Sequence, residues 1–174
     1  AFFMNVKRTS LQEIAKYRAA RRIWAQWMRE GFGATDPRAM QWRVQAYTGG
    51  SDLRAQKPPV NIVRDAIRTM TSIVSGPQGT NTTSFDEAIT IPTDLSQAIA
   101  IDTNQVVLHE TGVTEVVDPV GGAYAVEAMA DELERAVWRE LAALTRLPSF
   151  QEALHRLRDT VENGAFLEQQ AEES

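Results

Sequence analysis

The order of hydrophobic periods along the chain limits its fold more than any other feature. An apolar stretch at Ala1–Val6 reads as a strand, and a helical period follows it. Next comes "MQWRVQAYTGG", in which Met40, Trp42, Val44 and Ala46 alternate with Gln41, Arg43, Gln45 and Tyr47. That is period two, the signature of a strand. A second helical period then runs through Val60, Val63, Ile67, Met70 and Val74, opened by Pro58 and Pro59. Strand, helix, strand, helix predicts an α/β protein with parallel strands and outer helices. A weaker third strand is expected within 72–78, on the approach to Gln78.

The helices carry their own signals. Ser10 and Glu13 match a capping box, and Ile14, Tyr17, Trp24 and Met28 give the stripe that follows, with Gly31 and Gly33 as stops. A helix after Thr93–Asp94 has Ala98, Ile101, Gln105 and Leu108 at helical spacing. A short strand is expected at 115–117, then a helix over 124–144 with Val126, Met129, Leu133 and Val137 on one side. Ser149 and Glu152 start a final helix with the stripe Phe150, Leu154, Leu157 and Val161. These patterns divide the chain into a barrel-like part over 1–118, a helical extension over 119–165 and a disordered acidic tail over 166–174. Three parallel strands leave edges that need covering, whereas about eight close a barrel. The sequence therefore reads as a partial (β/α) TIM-type barrel of about three strands. A strand starting at residue 1 suggests that neighbouring structure is supplied from elsewhere.

Composition removes several chemistries. There is no cysteine, so disulfides, thiolate metal sites and cysteine nucleophiles are excluded, and a reducing, cytoplasmic location fits. A net charge of −5 without a basic stripe gives no footing for nucleic-acid binding. No apolar run approaches a bilayer span of about 20 residues. The two histidines, His109 and His155, lack partners at metal-ligand spacing, and no metal is expected.

The candidate site lies in the amphipathic strand and in "SGPQGTNTTSFDEAITIPTD". Arg43, Gln45 and Tyr47 share one strand face, which is either solvated or the inside of a barrel whose ligands bind toward the C-terminal end. The Gly/Thr-rich loop could place N–H groups and hydroxyls around a ligand, or could be a connector. Asp86–Glu87 is no glycosidase-type pair, because adjacent side chains diverge. A carboxylate that complements a helix N-terminus is the plainer reading. If the site is catalytic, Tyr47 is the candidate acid or donor and Glu87 the candidate base.

Several segments together resemble one family. "LQEIAKYRAARRIWAQWMREGFGATDPRAM", "VNIVRDAIRTM", "TSFDEAITIPTD" and "ETGVTEVVDPVGGAYAVEAMADELE" look like the large subunit of adenosylcobalamin-dependent acyl-CoA mutases of the methylmalonyl-CoA mutase kind. The resemblance implies the last three strands of an eight-stranded barrel that holds an acyl-CoA along its axis, with cobalamin presented by a separate domain absent here. It implies an isomerase, of the methylmalonyl-CoA/succinyl-CoA type, that requires the missing parts. It implies substrate-binding roles for Arg43, Gln45 and Gln78, and cofactor-facing positions for Tyr47, Thr83 and Glu87. The family strand usually reads R-x-H-x-Q-T, and here Gln45 and Tyr47 replace its His and Gln. Thr83 replaces an Asn that faces the corrin. These departures leave two readings open: a fragment or split subunit of a mutase, inactive alone, or a repurposed stand-alone protein. The partner implied is a complementary mutase subunit, or a second copy in a homo-oligomer.

Overall fold

The computed structural model describes residues 1–7 and 9–164, so the predicted tail lies outside the described residues. The chain divides into two compact units, 1–134 and 135–174. The first holds strand β1 (Phe2–Asn5), helix α1 (Ser10–Gly31), strand β2 (Val44–Tyr47), helix α2 (Val60–Val74), strand β3 (Gly79–Asn81), helix α3 (Asp94–Glu110) and the first half of helix α4 (Tyr124–Thr145). The fold is α/β. Its three strands are parallel, in the order β1-β2-β3.

The sheet register places Phe2 with Val44, and Met4 with Ala46 and Thr80, on one face. Phe3, Gln45 and Gly79, then Asn5, Tyr47 and Asn81, form rows on the other. The first face is apolar at β1 and β2 because Trp42, Val44 and Ala46 alternate into it, and α1 covers it. Val6, Tyr17, Trp42, Val44 and Ala46 make one buried cluster, with Met4, Ala20 and Trp24 packed against it. Phe2 meets the Trp24 ring edge-on at 5.1 Å, and the Tyr17 hydroxyl donates to the Met4 carbonyl at 3.0 Å. Burial, and then the Glu13 carboxylate, push the Tyr17 phenol pKa upward, so it stays a donor.

The flank of α1 formed by Ile14, Ala15 and Ala19 packs on Val126 and Ala130 of α4. Around this seam Arg18 pairs with Asp118 at 2.6 Å, and Arg22 pairs with Asp131 at 2.6 Å and Glu134 at 2.7 Å. Half-exposed pairs of this kind contribute about 0–1 kcal/mol each, so the apolar seam carries the docking.

Several expectations are corrected. Thr9, not Ser10, precedes α1, and its side chain makes no cap. Ser10 instead accepts a hydrogen bond from Thr71 at 2.8 Å, and Glu13 turns to Lys16. The third strand is Gly79–Asn81 because α2 continues through Val74, taking the first three residues of the stretch expected to be extended. Residues 115–117 form no strand: they lead into Asp118, whose φ of 54° belongs to a turn.

The largest correction concerns α2, whose apolar stripe faces outward. Val63 and Ile67 are 60% and 57% exposed, while Asn61, Asp65, Arg68, Thr69, Thr71 and Ser72 are buried. The polar face lies inward because the segment it meets is hydroxyl-rich. Ser72 pairs with Thr80 at 2.8 Å and Thr69 with Thr82 at 2.6 Å. Asn61 donates to the Phe85 carbonyl at 2.8 Å. From Ser72 back through Thr69 to Asn61, one helix face thus follows the strand at Thr80 into its loop at Thr82 and Phe85. Buried polar groups are tolerated when they are paired in this way. Ile67→Gln is accordingly expected to change unfolding free energy by less than about 0.5 kcal/mol, as exposed substitutions do. Urea denaturation checks this, and a core position would lose several times more.

Helix α3 likewise buries Ser96, Ala100 and Val107 rather than the expected Ile101 face. It begins with a capping box between Thr93 and Ser96. In the second unit α5 (Phe150–Glu162) is capped by Ser149, whose hydroxyl accepts the Glu152 N–H at 3.2 Å. Its stripe of Phe150, Leu154, Leu157 and Val161 is exposed. Among the described residues no helix is long and apolar enough to cross a membrane.

Candidate functional site

Parallel strands bring their C-terminal ends to one side, and the open face of the sheet ends there in Asn5, Tyr47 and Asn81. Among the described residues no helix covers this face, and its side chains are polar apart from Phe3, which is 78% exposed. The Tyr47 hydroxyl donates to Glu87 Oε2 at 3.2 Å. One row further down, Gln45 Nε2 donates to Asn81 Oδ1 at 3.1 Å. Two glycines make room for these pairs. A Cβ at Gly50 would lie 2.4 Å from Glu87 Oε1, and one at Gly79 would lie 2.4 Å from Gln45 Oε1. Each glycine is therefore the floor beneath one of the site's side chains.

The predicted residues divide into three groups. Tyr47, at the end of β2, and Glu87, in the loop after β3, are brought together. Gln45 joins Asn81, a residue that sequence reasoning placed in a loop and did not single out. Arg43 is exposed at the opposite end of β2, roughly 13 Å from Tyr47 at about 3.3 Å per residue. Gln78 uses its side-chain carbonyl to accept the Val44 N–H at 2.6 Å, while its own N–H donates to the Val44 carbonyl at 3.0 Å. It also lines a cleft of about 580 Å³ along the outer edge of β3, with Ile73, Ile101 and Leu108. Thr83 is 2% exposed and its N–H donates to Thr48 Oγ1 at 2.8 Å. Its side chain is enclosed, so the hydroxyl does not reach the open face.

Asp86 and Glu87 have separate tasks. Asp86 Oδ2 accepts from the Thr93 hydroxyl at 3.1 Å, tying the loop to the start of α3. Its partial burial raises its pKa, but hydrogen bonds from Ser96 and Thr93 outweigh that and hold it below the usual carboxylate range. Glu87 points the other way, to Tyr47.

Behind the site lies a buried charged pair that the sequence did not reveal. Asp65 and Arg68 are each 2% exposed and hydrogen-bonded to each other. Arg68 also donates to the Gly49 carbonyl at 2.7 Å, and Asp65 accepts from the Thr48 hydroxyl at 3.3 Å. Burial raises the Asp65 pKa to about 6, against the opposing pull of Arg68 and Thr48 and with a small push from Glu87. The unfolded carboxyl ionises near the ordinary aspartate value of 3.8. Between that value and about 6 the folded state holds more protons than the unfolded one, so this group's contribution makes stability fall as pH rises through the window. Above it the slope vanishes. Urea midpoints from pH 4 to 7 should show this slope in the wild type and lose it in Asp65→Asn.

Among the described residues no cluster of three or more His, Asp or Glu is placed to hold a metal ion. What the arrangement offers is a phenol–carboxylate pair and an amide pair on an open polar face, each held from below by a glycine.

Comparison with known proteins adds a lineage. Residues 1–172 match the family described as methylmalonyl-CoA mutase. The chain is 37% identical over 141 residues to the 2-hydroxyisobutanoyl-CoA mutase large subunit of Aquincola tertiaricarbonis, covering 81% of this chain and 25% of that protein. It is 38% identical over 155 residues to the methylmalonyl-CoA mutase of Rhizobium meliloti (strain 1021), covering 89% and 22%. It is 34% identical over 156 residues to the methylmalonyl-CoA mutase large subunit of Propionibacterium freudenreichii subsp. shermanii, covering 90% and 21%. The chain thus spans about a fifth to a quarter of the length of these relatives.

Proposed function

The chain belongs to the methylmalonyl-CoA mutase family, and we propose that it supplies three strand–helix units of an acyl-CoA mutase barrel whose other strands come from further polypeptide. One observation carries this reading: the face opposite the helices is polar, ends in the Tyr47–Glu87 pair, and is left uncovered by the described residues. A closed parallel barrel would turn that face inward, with ligands at the C-terminal ends of the strands. Among the described residues β1 and β3 are the edges of the sheet, each paired with a strand on one side, where further strands could add.

In such a barrel the ladder Arg43, Gln45 and Tyr47 runs along the inside and offers hydrogen-bonding groups to an acyl-CoA. Tyr47 and Glu87 fit adenosylcobalamin in one respect: both are half-buried at the open mouth, and a phenol beside a carboxylate suits the hydroxyls of an adenosyl group. Thr83 contributes nothing to that fit because it is enclosed. When bound, adenosylcobalamin supplies the radical chemistry of carbon-skeleton isomerisation. The part played by this chain is to orient: Tyr47 donates to Glu87, Gln45 donates to Asn81, and the added strands exclude water.

The test combines this chain with a polypeptide that provides the remaining barrel strands and the cobalamin domain of a related mutase. Conversion of methylmalonyl-CoA to succinyl-CoA is measured with adenosylcobalamin present. Turnover is expected in the mixture only, and is expected to drop when Glu87 is replaced by alanine. Turnover by this chain alone, or a formed complex indifferent to Glu87→Ala, contradicts the reading.

A further inference from the structure

We propose that Thr48, Asp65 and Arg68 are positioning residues that hold the Tyr47–Glu87 pair in register. This rests on the reading of that pair as the working edge of the site. The pair joins two loops that have no covalent reason to stay together, one following β2 and one following β3. They meet in two places. Thr48 Oγ1 accepts the Thr83 N–H at 2.8 Å, and Gly50 forms the floor under the Glu87 carboxylate. Both meeting points are anchored to the same turn of α2. Asp65 accepts from Thr48 and thereby aims the hydroxyl that Thr83 binds. Arg68 holds the Gly49 carbonyl, with the Asp52 carboxylate 3.6 Å away, and so fixes the glycine turn.

The energetics separate this from ordinary packing. A buried ion pair is often no more stable than apolar side chains of the same volume. Here the cost is raised further: Asp65 Oδ2, Arg68 Nε and Thr83 Oγ1 are buried without a hydrogen-bond partner. The same helix face is joined lower down to β3 and to the first residue after it by neutral hydroxyl pairs, Ser72 to Thr80 and Thr69 to Thr82. Nearer the start of α2, Asn61 ties the same two loops further out, through Arg54 and the Phe85 carbonyl; the charged pair occurs at the level of Thr48, Gly49 and Thr83, next to the Tyr47–Glu87 pair.

The experiment reads the pair itself, without substrate. The chain has three tyrosines, so a ζ-13C-tyrosine spectrum resolves Tyr47, assigned through Tyr47→Phe. Glu87→Ala gives the position of a Tyr47 hydroxyl without its acceptor. Asp65→Asn and Thr48→Val are expected to move the line at least half of the way to that position. Thr48→Ser should restore it, and Ser72→Ala, on the same helix face but away from the loops, should leave it alone. If Thr48→Val does not fold, Asp65→Asn decides, because it preserves shape. An unmoved line in a folded Asp65→Asn protein overturns the proposal. An equal movement in Ser72→Ala overturns it as well, since the effect would then be general loosening. Because no turnover is read, failure of the mutase reading leaves this result interpretable.

Discussion

Arg68→Ala lowers the stability of the fold by about 3–5 kcal/mol, the range seen when one member of a buried ion pair is removed. The loss has two parts. The Gly49 carbonyl loses a charged donor at 2.7 Å, and Asp65 is left as a carboxylate at 2% exposure without its cation. Asp65 then escapes by taking up a proton, so the deficit is larger at pH 8 than at pH 5. Removing both charges, as in Asp65→Leu combined with Arg68→Met, should recover most of the loss, because the desolvation of the pair and of its unpartnered atoms disappears with it. Urea titration at the two pH values checks this, with an unchanged slope confirming that only stability has moved. A loss below about 1 kcal/mol would mean that the pair behaves as a surface one.

Trp42→Ala is expected to cost about 3–5 kcal/mol as well, for a different reason. Trp42 is 7% exposed and sits where β1, β2 and α1 converge. Its ring lies 5.8 Å from Phe2 and 5.8 Å from Tyr17. The apolar cluster around it has five buried members, so a single truncation opens a cavity that few neighbours can fill. Loss of near-ultraviolet ellipticity with retained helix content would accompany the drop in melting temperature. Phe3→Ala is the contrast. Its side chain is 78% exposed on the open face, and the expected change in the chain by itself is within about 0.5 kcal/mol.

These two sites differ in how far the sequence disclosed them. The alternation through Trp42, Val44 and Ala46 states a strand and its buried face directly, because a pleat has period two, and α1 packs on that face through Tyr17, Ala20 and Trp24. The long period of α4 is equally plain, and the helix ends within a residue of its expected limit. Arg68 was hidden by the same logic. An amphipathic helix normally turns its apolar side inward, so the stripe of Val60, Val63 and Ile67 draws the reading and does not single out Asp65 and Arg68. The clue was in the partner segment: Thr80 and Thr82 match the hydroxyls of Ser72 and Thr69, and a hydroxyl-rich strand end favours a polar helix face. Period analysis of one element cannot weigh its partner.

The same limit applies to the site. Tyr47 and Gln45 follow from the strand period, but their acceptors do not. Glu87 meets Tyr47 because a turn at 84–87 aims it there, and Asn81 meets Gln45 through a strand of three residues, too short to announce itself. Gly50 and Gly79 read as loop glycines in sequence, yet each lies under one side chain of the site. Of the hydroxyls in "TNTTS", those of Thr80 and Thr82 fasten the segment to α2, while Thr83 meets Thr48 through its backbone N–H.

The proposal that this chain contributes part of a larger parallel barrel meets its most direct test in backbone amide exchange at the sheet edges. Exchange is followed at Phe2–Asn5 and Gly79–Asn81 in the chain alone, and again after adding the polypeptide that carries the remaining strands. The expected result is fast exchange of the outward-facing amides alone and strong protection at both edges in the mixture, with β2 protected throughout. Edges already protected in a monomer, or edges unchanged in a formed complex, would contradict it.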